Sequence, residues 1–504
     1  MAKKKVVSVT QEDWYIAATD YEEQAERWSL SDVKKTLRFY LQALECYEKA
    51  LSAPEATLSG SYHILYNETR LLLQVHTEYV ANNGYINILQ YVKLDELPGI
   101  TNLIMPLPQI LQRFQAVRER YEQETTWDFE FNLLTCYLSV LEAAAMNNLQ
   151  GEDVIQLATR YAELSQSLTQ YVMQELEEWK ASPTQQYTSL EPAKPRPSQV
   201  LQPAQLPGKD GSGVVSKKDT GSQRVEISDQ VTVDTLSEIL CNGFKCVQTL
   251  LELVVESRCS GSNELGLHEV QLNFLEDLAK KFLQQLSDIR DTAGALFPLH
   301  LAPVDISCMV IEALGRLSTD LPIFESYVQS FPNTESDVLL AKIDLLQFAI
   351  DCSESASPNI LWSLRTLLNK MLSEARTHFT KLRNKIMIQP ASEELSRITF
   401  HLCDVDIDSS DNELARLVIR RSQQQPSHDD KTCEVLLKNA KTLLVNAARI
   451  AERSCGLQEN IVDKLKRNYV YNQATARLTA LEKQAHSEKD LLDHPFYKSL
   501  AVGF

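Results

Sequence analysis

The sequence predicts an all-α protein of stacked antiparallel helical hairpins, and three observations predict that fold class. Only 15 of the 504 residues are glycine, which disfavours the glycine-rich turns of a β-sandwich or a barrel. Apolar residues recur at intervals of three and four along most of the chain, the spacing of an amphipathic helix. No long stretch shows the period of two that a half-buried strand requires. We therefore expect an α-solenoid that one linker interrupts.

The linker is the clearest boundary in the chain. Residues 181–225 hold six of the 18 prolines and four of the 15 glycines, together with six basic and three acidic residues. Such a segment cannot bury enough apolar surface to offset the entropy lost on ordering. The predicted regions, in order, are a basic tail at 1–10, helical repeats at 11–180, a disordered linker at 181–228, an irregular helical-repeat region at 229–485 and a C-terminal tail at 486–504.

The apolar pattern predicts six helices before the linker and eight after it. The first covers residues 13–28. The second begins after an N-cap at Ser31 or Asp32 and stops before Pro54, because proline cannot continue a helix. Short turns join these helices, and many carry apolar residues on more than one side. That combination favours a stack of hairpins.

Two helices of the N-terminal region combine small and aromatic residues in a specific pattern. The residues that form it are Trp14, Ala17, Ala18 and Tyr21 in the first helix and Thr36, Tyr40 and Ala43 in the second. The pattern resembles that of the tetratricopeptide repeats, although the connection between the helices is several residues longer. The resemblance is specific over 11–54 and looser over 62–179. It implies that these seven side chains pack neighbouring hairpins together: small residues let backbones approach and aromatics fill the gaps.

An aromatic–asparagine dipeptide recurs in the chain. It occurs at Tyr66-Asn67, Phe131-Asn132 and Tyr471-Asn472. The first two copies lie 65 residues apart, which fits one enlarged hairpin. We take Asn67 and Asn132 as candidates for a partner-binding groove.

One subclass of tetratricopeptide repeats binds acidic chaperone tails through a clamp of lysine, asparagine and arginine side chains. The resemblance places the first clamp positions at Tyr15 and Thr19, where lysine and asparagine are expected. The clamp is therefore incomplete, and we do not expect this chain to hold an acidic tail.

The sequence predicts no cofactor, no metal site and no catalytic residue. Phosphate-binding loops, nucleophile elbows and zinc-binding motifs do not occur. The ten cysteines are dispersed without a CxxC pair, which is typical of small buried hydrophobes in a reducing compartment. His401 and Cys403 lie close together, but two ligands do not make a metal site.

One acidic stretch, DVDIDSSDNELA at 404–415, needs a separate interpretation. Asp404, Asp406 and Asp408 match the first oxygen ligands of an EF-hand loop. Ser409 stands where the loop requires glycine, and Ala415 stands where it requires a bidentate glutamate. We expect an acidic, solvated loop between two helices.

The formal net charge is −18, which disfavours direct nucleic-acid binding because phosphates need a basic surface. No apolar run is long enough to span a bilayer, and the start of the chain lacks a secretory apolar region. We expect a cytoplasmic protein that binds other proteins, including basic or extended segments. Lys3, Lys4 and Lys5 are a candidate nuclear-entry signal.

Together these features favour a non-catalytic interaction scaffold or adaptor that binds partner segments in a helical groove, as part of a larger complex. The alternative is an acidic escort for a basic client such as a ribosomal protein or a histone. An enzyme would need a site assembled from residues that are far apart in sequence.

Overall fold

The computed structural model describes residues 9–81, 86–181, 231–259, 265–332, 335–353, 356–388, 394–422 and 430–483. Within these ranges the chain forms sixteen α-helices and no β-strand, which confirms the all-α fold class. The predicted linker core and tails lie outside the described residues. The helices are α1 (Gln11–Ser29), α2 (Val33–Leu51), α3 (Leu58–Val75), α4 (Ile100–Leu103), α5 (Leu107–Arg120), α6 (Trp127–Glu142), α7 (Gly151–Ala181), α8 (Val233–Cys259), α9 (Glu269–Leu296), α10 (Ala302–Leu317), α11 (Leu321–Ser330), α12 (Ser336–Asp351), α13 (Pro358–Ile386), α14 (Glu394–Ser422), α15 (Asp430–Ala451) and α16 (Ile461–Lys483).

Capping residues explain where the first helices begin. The Thr10 hydroxyl accepts a hydrogen bond from the Asp13 N–H, and the Asp13 carboxylate accepts one from the Thr10 N–H, so α1 begins with a capping box. Asp32, one of the two predicted caps, accepts a hydrogen bond from the Lys35 N–H at the start of α2. Helix α2 ends at Leu51, shortly before Pro54.

The helices stack as hairpins. Most consecutive helices pack against each other, and further contacts join α1 to α3, α3 to α6, α6 to α8, α8 to α10, α10 to α12 and α14 to α16. We use the name inner set for these eight helices; α7 and α9 also contact each other. Because α8 packs on both α6 and α7, the helices on the two sides of the linker form one continuous stack.

The last helix returns to the first hairpin. The Ile461 N–H donates a hydrogen bond of 3.0 Å to the Leu30 carbonyl oxygen. Side chains at the start of α16, including Leu465 and Tyr469, pack against the core that the N-terminal hairpins form. Helix α16 also contacts the 3-10 turn Ile88–Tyr91. The stack of hairpins therefore closes on itself.

The seven residues of the tetratricopeptide-like pattern lie in the packing between α1, α2 and their neighbours. Ala18, Thr36, Tyr40 and Ala43 are buried. The other three, Trp14, Ala17 and Tyr21, are half-buried against the same core. The Tyr21 ring stacks on Phe39 with 6.4 Å between ring centroids.

The structure contains two helices that the apolar pattern did not predict. Helix α4 is a single turn, and α11 begins at Leu321, where the predicted helix over 304–321 ends. The signal for α11 was present in the sequence. Asp320 accepts a hydrogen bond from the Ile323 N–H, and Pro322 follows in the first turn, which is a typical helix start.

The predicted acidic loop at 404–415 is wrong. These residues lie in the middle of α14, which runs unbroken from Glu394 to Ser422. Apolar residues at Val405, Ile407 and Leu414 are buried against neighbouring helices. That packing outweighs the low helix propensity of the aspartates and serines.

Candidate functional site

The inner helices form a cavity where α8, α10 and α12 lie side by side. Its volume is about 440 Å³. We call it the inner cavity; its lining residues are Lys245, Gln248, Glu252, Ile306, Ser307, Val310, Asp337, Leu340, Ala341, Asp344, Leu345 and Phe348. Half of these side chains are aliphatic or aromatic, and four are charged. We call the apolar lining residues the floor and the charged lining residues the wall; a mixed lining of this kind is the usual character of a binding pocket.

The charged wall holds more carboxylates than cations. Glu252, Asp337 and Asp344 face a single ammonium group, that of Lys245. Lys245 also attracts Glu142 of α6, where burial outweighs that attraction and raises the pKa of the carboxyl, so its one charge is shared among several carboxylates. Among the described residues no side chain donates a hydrogen bond to the Asp344 carboxylate. The wall is left with a local excess of negative charge.

Burial raises the pKa of the Asp344 carboxyl to about 6, against the attraction of Lys245. The Asp344 side chain is nevertheless exposed to solvent. Because it lines the inner cavity, we call the surface around it the recess.

Helix α14 extends this recess. Burial raises the pKa of Asp404 to about 7 and that of Asp408 to about 8, and for Asp408 the charges of Asp404, Asp411 and Asp344 add to the shift. Asp408 is also reached by solvent. The carboxylates that resembled EF-hand ligands thus lie on a helix, and the described residues contain no group of three or more metal-ligating side chains.

The two arginine-paired aspartates of α14 have different surroundings. The Arg376 Nε lies 2.7 Å from the Asp406 carboxylate, and the Arg477 guanidinium binds both oxygens of Asp411 at 3.0 to 3.2 Å. For Asp406, burial raises the pKa to about 6 in spite of the arginine. Only Asp404 and Asp408 are left facing the recess without such a contact within the described part of α14.

The structure places Asn67 and Asn132 between successive inner helices. The Asn67 amide donates hydrogen bonds to the Tyr15 hydroxyl, at 3.0 Å, and to the His63 carbonyl oxygen, at 2.9 Å. Asn132 repeats this arrangement one hairpin later, with the Tyr66 hydroxyl at 3.0 Å and the Asp128 carbonyl oxygen at 2.8 Å. The repeated dipeptide therefore forms a ladder: the aromatic of one copy accepts from the asparagine of the next.

The third copy of the dipeptide is not part of this ladder, and both clamp positions make contacts within the fold. Tyr471 and Asn472 lie on the exposed side of α16. Tyr15 accepts the hydrogen bond from Asn67, and the Thr19 hydroxyl donates to the Ile16 carbonyl oxygen within its own helix.

Most of the cysteines are buried, as predicted, but Cys259 at the end of α8 is exposed. The close pair at 401–403 forms no metal site: the His401 ring stacks on Phe379 with 5.4 Å between centroids, and the Cys403 thiol lies 3.7 Å from the Ala447 carbonyl oxygen.

A second cavity, of about 430 Å³, lies between α5, α6 and α7. Its two charged residues neutralise each other, because the Arg118 Nε lies 2.9 Å from the Glu130 carboxylate. The inner cavity differs in having uncompensated charge, so we take it as the candidate functional site.

The fold and the site define a helical-repeat protein whose candidate binding surface lies on its inner helices. The chain belongs to the YNL193W family. It is 41% identical over 540 aligned residues to "Uncharacterized protein YNL193W" of Saccharomyces cerevisiae, an alignment that covers 98% of this chain and 96% of the relative. Residues 145–318 match the model of the YNL193W-like middle domain, and residues 332–501 match that of the YNL193W C-terminal domain.

One solved structure is similar over most of its length, a "Circular tandem repeat protein with novel repeat topology and enhanced subunit contact surfaces". The match covers 98% of this chain and 94% of that one at 12% sequence identity, with a TM-score of 0.26. At that score the two backbones do not superpose, so the match carries no information about function. Among the described residues, none of the helices combines the length and apolarity that crossing a bilayer takes.

Proposed function

We propose that this protein is a non-catalytic interaction scaffold whose helical hairpins hold a partner segment along the inner face. The observation that carries the proposal is the inner cavity, with its apolar floor and charged wall. A segment lying across adjacent inner helices would contact different side chains at each hairpin. Such a surface favours an extended partner within a larger complex.

Site-specific cross-linking tests where the partner lies. A photoreactive benzoylphenylalanine replaces Gln248, which lines the cavity, and in a control protein replaces Val270, which is 81% exposed at the start of α9. Both full-length proteins are expressed in cells and illuminated, and the adducts are identified by mass spectrometry. We expect a reproducible protein adduct at Gln248 and none of the same identity at Val270. The same adducts at both positions, or none at Gln248, would contradict the proposal.

A second function, that of an acidic escort for a basic client such as a ribosomal protein or a histone, is favoured by the accessible carboxylates of the inner face. Glu142, Asp344 and Asp408 are exposed, and burial raises the pKa of each. A basic client would neutralise charge that the fold itself leaves uncompensated.

Salt dependence separates the two functions. At ~0.5 M salt the Debye length falls to a few ångström, so binding that depends mainly on charge is lost. A scaffold in which the apolar floor also contributes to binding keeps part of its affinity under the same conditions. The yield of the adduct at Gln248 is measured in extracts at low and high salt. A complete loss at high salt favours the acidic escort, and a retained yield favours the scaffold.

A further inference from the structure

The inner cavity has the size and the surroundings of a side-chain receptor. Its volume of about 440 Å³ lies in the range of ligand pockets, about 300 to 1,000 Å³. Ile306, Leu340 and Phe348 contribute to an apolar floor, whereas Glu252 and Asp344 stand in the wall. A ligand that fits this arrangement has an apolar stem and a positively charged end.

The charges of the wall exclude the other common ligands of helical grooves. An acidic peptide or a nucleic acid would place its own negative charges against Glu252, Asp337 and Asp344, with only Lys245 to offset them. A purely apolar segment would cover these carboxylates without pairing them, which costs free energy. A lysine or an arginine does neither, because its methylene stem lies on apolar surface while its head pairs with carboxylates.

Carboxylates of α14 lie near the cavity. Asp344 of the cavity acts on the Asp408 carboxyl, as do Asp404 and Asp411, with Arg477 as the opposing charge. Lys466 opposes the charge of Asp404. Carboxylates therefore continue beyond the wall onto α14, with two cations among them. A ligand with one charge would use a small part of this surface, whereas an extended chain with several basic residues would use its whole length.

We infer that the inner cavity binds a lysine or arginine side chain of an extended partner segment, in which apolar residues lie next to basic ones. This inference rests on the proposed function and specifies the chemistry of the partner. The basic head pairs with Glu252 and Asp344, a neighbouring apolar side chain covers the floor, and further basic residues reach Asp404 and Asp408.

Defined peptides test the inference on the full-length protein. The probe is a fluorescein-labelled peptide of twelve residues that alternates lysine with leucine, and binding is measured by fluorescence anisotropy. Two further peptides replace either all lysines by glutamine or all leucines by serine. We expect the lysine–leucine peptide to bind at least about tenfold more tightly than either, because each removes one of the two contacts that the cavity offers.

Matched variants locate the binding. In the double variant E252Q/D344N the cavity loses two carboxylates, and we expect the affinity for the lysine–leucine peptide to fall about tenfold or more. The control E12Q/D20N removes two exposed carboxylates of α1 and changes the net charge equally; its affinity should stay within about twofold of the original. Ala341→Met fills the floor without changing charge and should also weaken binding.

Three results would overturn the inference. Equal loss in E252Q/D344N and E12Q/D20N would show attraction by overall charge alone. Tighter binding of the glutamine peptide would show an apolar groove. Complete competition by spermine at concentrations equal to those of the peptide would show a site for a small polycation. In each case an adduct at Gln248 with a cellular protein would leave the scaffold proposal standing, so the two failures are distinguishable.

Discussion

A carboxylate of the N-terminal hairpins differs from two carboxylates of α14, which lie next to the paired Asp406 and Asp411, in how its charge is compensated. Near the N-terminus, Glu22 is buried but accepts a hydrogen bond of 2.6 Å from the Tyr47 hydroxyl and pairs with Arg70 of the next inner helix. In the C-terminal hairpins, Asp404 and Asp408 face the recess and are influenced only at longer range by Lys466 and Arg477, respectively.

The polar side chains of the two regions contribute differently to folding. In the N-terminal hairpins the polar side chains complete contacts between successive inner helices, so they contribute to stability. The carboxylates of the recess oppose folding, because burial disfavours their charged form. Groups that cost stability and yet face an accessible surface are candidates for function. Three experiments test this comparison between the two regions.

The largest effect is expected from Arg70→Met. It leaves the Glu22 carboxylate buried without its guanidinium partner, and removing one member of such a pair destabilises by about 3 kcal/mol. The control is Arg27→Met, which breaks an exposed pair with Glu23 and should cost less than about 0.5 kcal/mol. Urea unfolding of both variants measures the difference. Equal, small losses of unfolding free energy in the two variants would mean that the pair between Arg70 and Glu22 does not stabilise the fold.

An intermediate effect with the opposite sign is expected from Asp408→Asn. The folded-state pKa of about 8 is above the ordinary value of 3.8, so between pH 4 and pH 8 the folded protein holds a proton that the unfolded chain releases. Stability therefore falls as pH rises through this window. The variant lacks that loss and should be more stable at pH 8 by about 1 kcal/mol, a discounted figure because solvent reaches the side chain.

Thermal unfolding at pH 5, 6.5 and 8 checks this prediction. The advantage of Asp408→Asn should grow with pH, whereas the exposed control Asp20→Asn should show little change. A stabilisation that is constant with pH, or a destabilisation, would contradict the description of the recess.

An effect no larger than that of Asp408→Asn is expected from Asn132→Leu. The variant loses the hydrogen bonds to the Tyr66 hydroxyl and the Asp128 carbonyl oxygen, and we expect it to destabilise by about 1 kcal/mol. Asn472→Leu, in the exposed copy of the dipeptide, should cost less than about 0.5 kcal/mol. A double-mutant cycle with Tyr66→Phe measures the coupling between the two side chains. No coupling would mean that the ladder does not join the hairpins.

The fold class and most of the helices could be predicted from the sequence, because the apolar period and helix caps such as Asp32 depend on residues a few positions apart. The sequence also identified Asn67 and Asn132 as equivalent, since the dipeptide around them repeats.

Which side chains meet depends on the packing of the helices. The stretch at 404–415 was predicted to be a loop because its aspartates resemble the first ligands of an EF-hand, and contacts of α14 with α13, α15 and α16 hold it in a helix. The inner cavity brings together residues of α8, α10 and α12 that are up to about a hundred positions apart in the chain. Their proximity follows from the order and the spacing of the stacked hairpins, and no local pattern of residues encodes it.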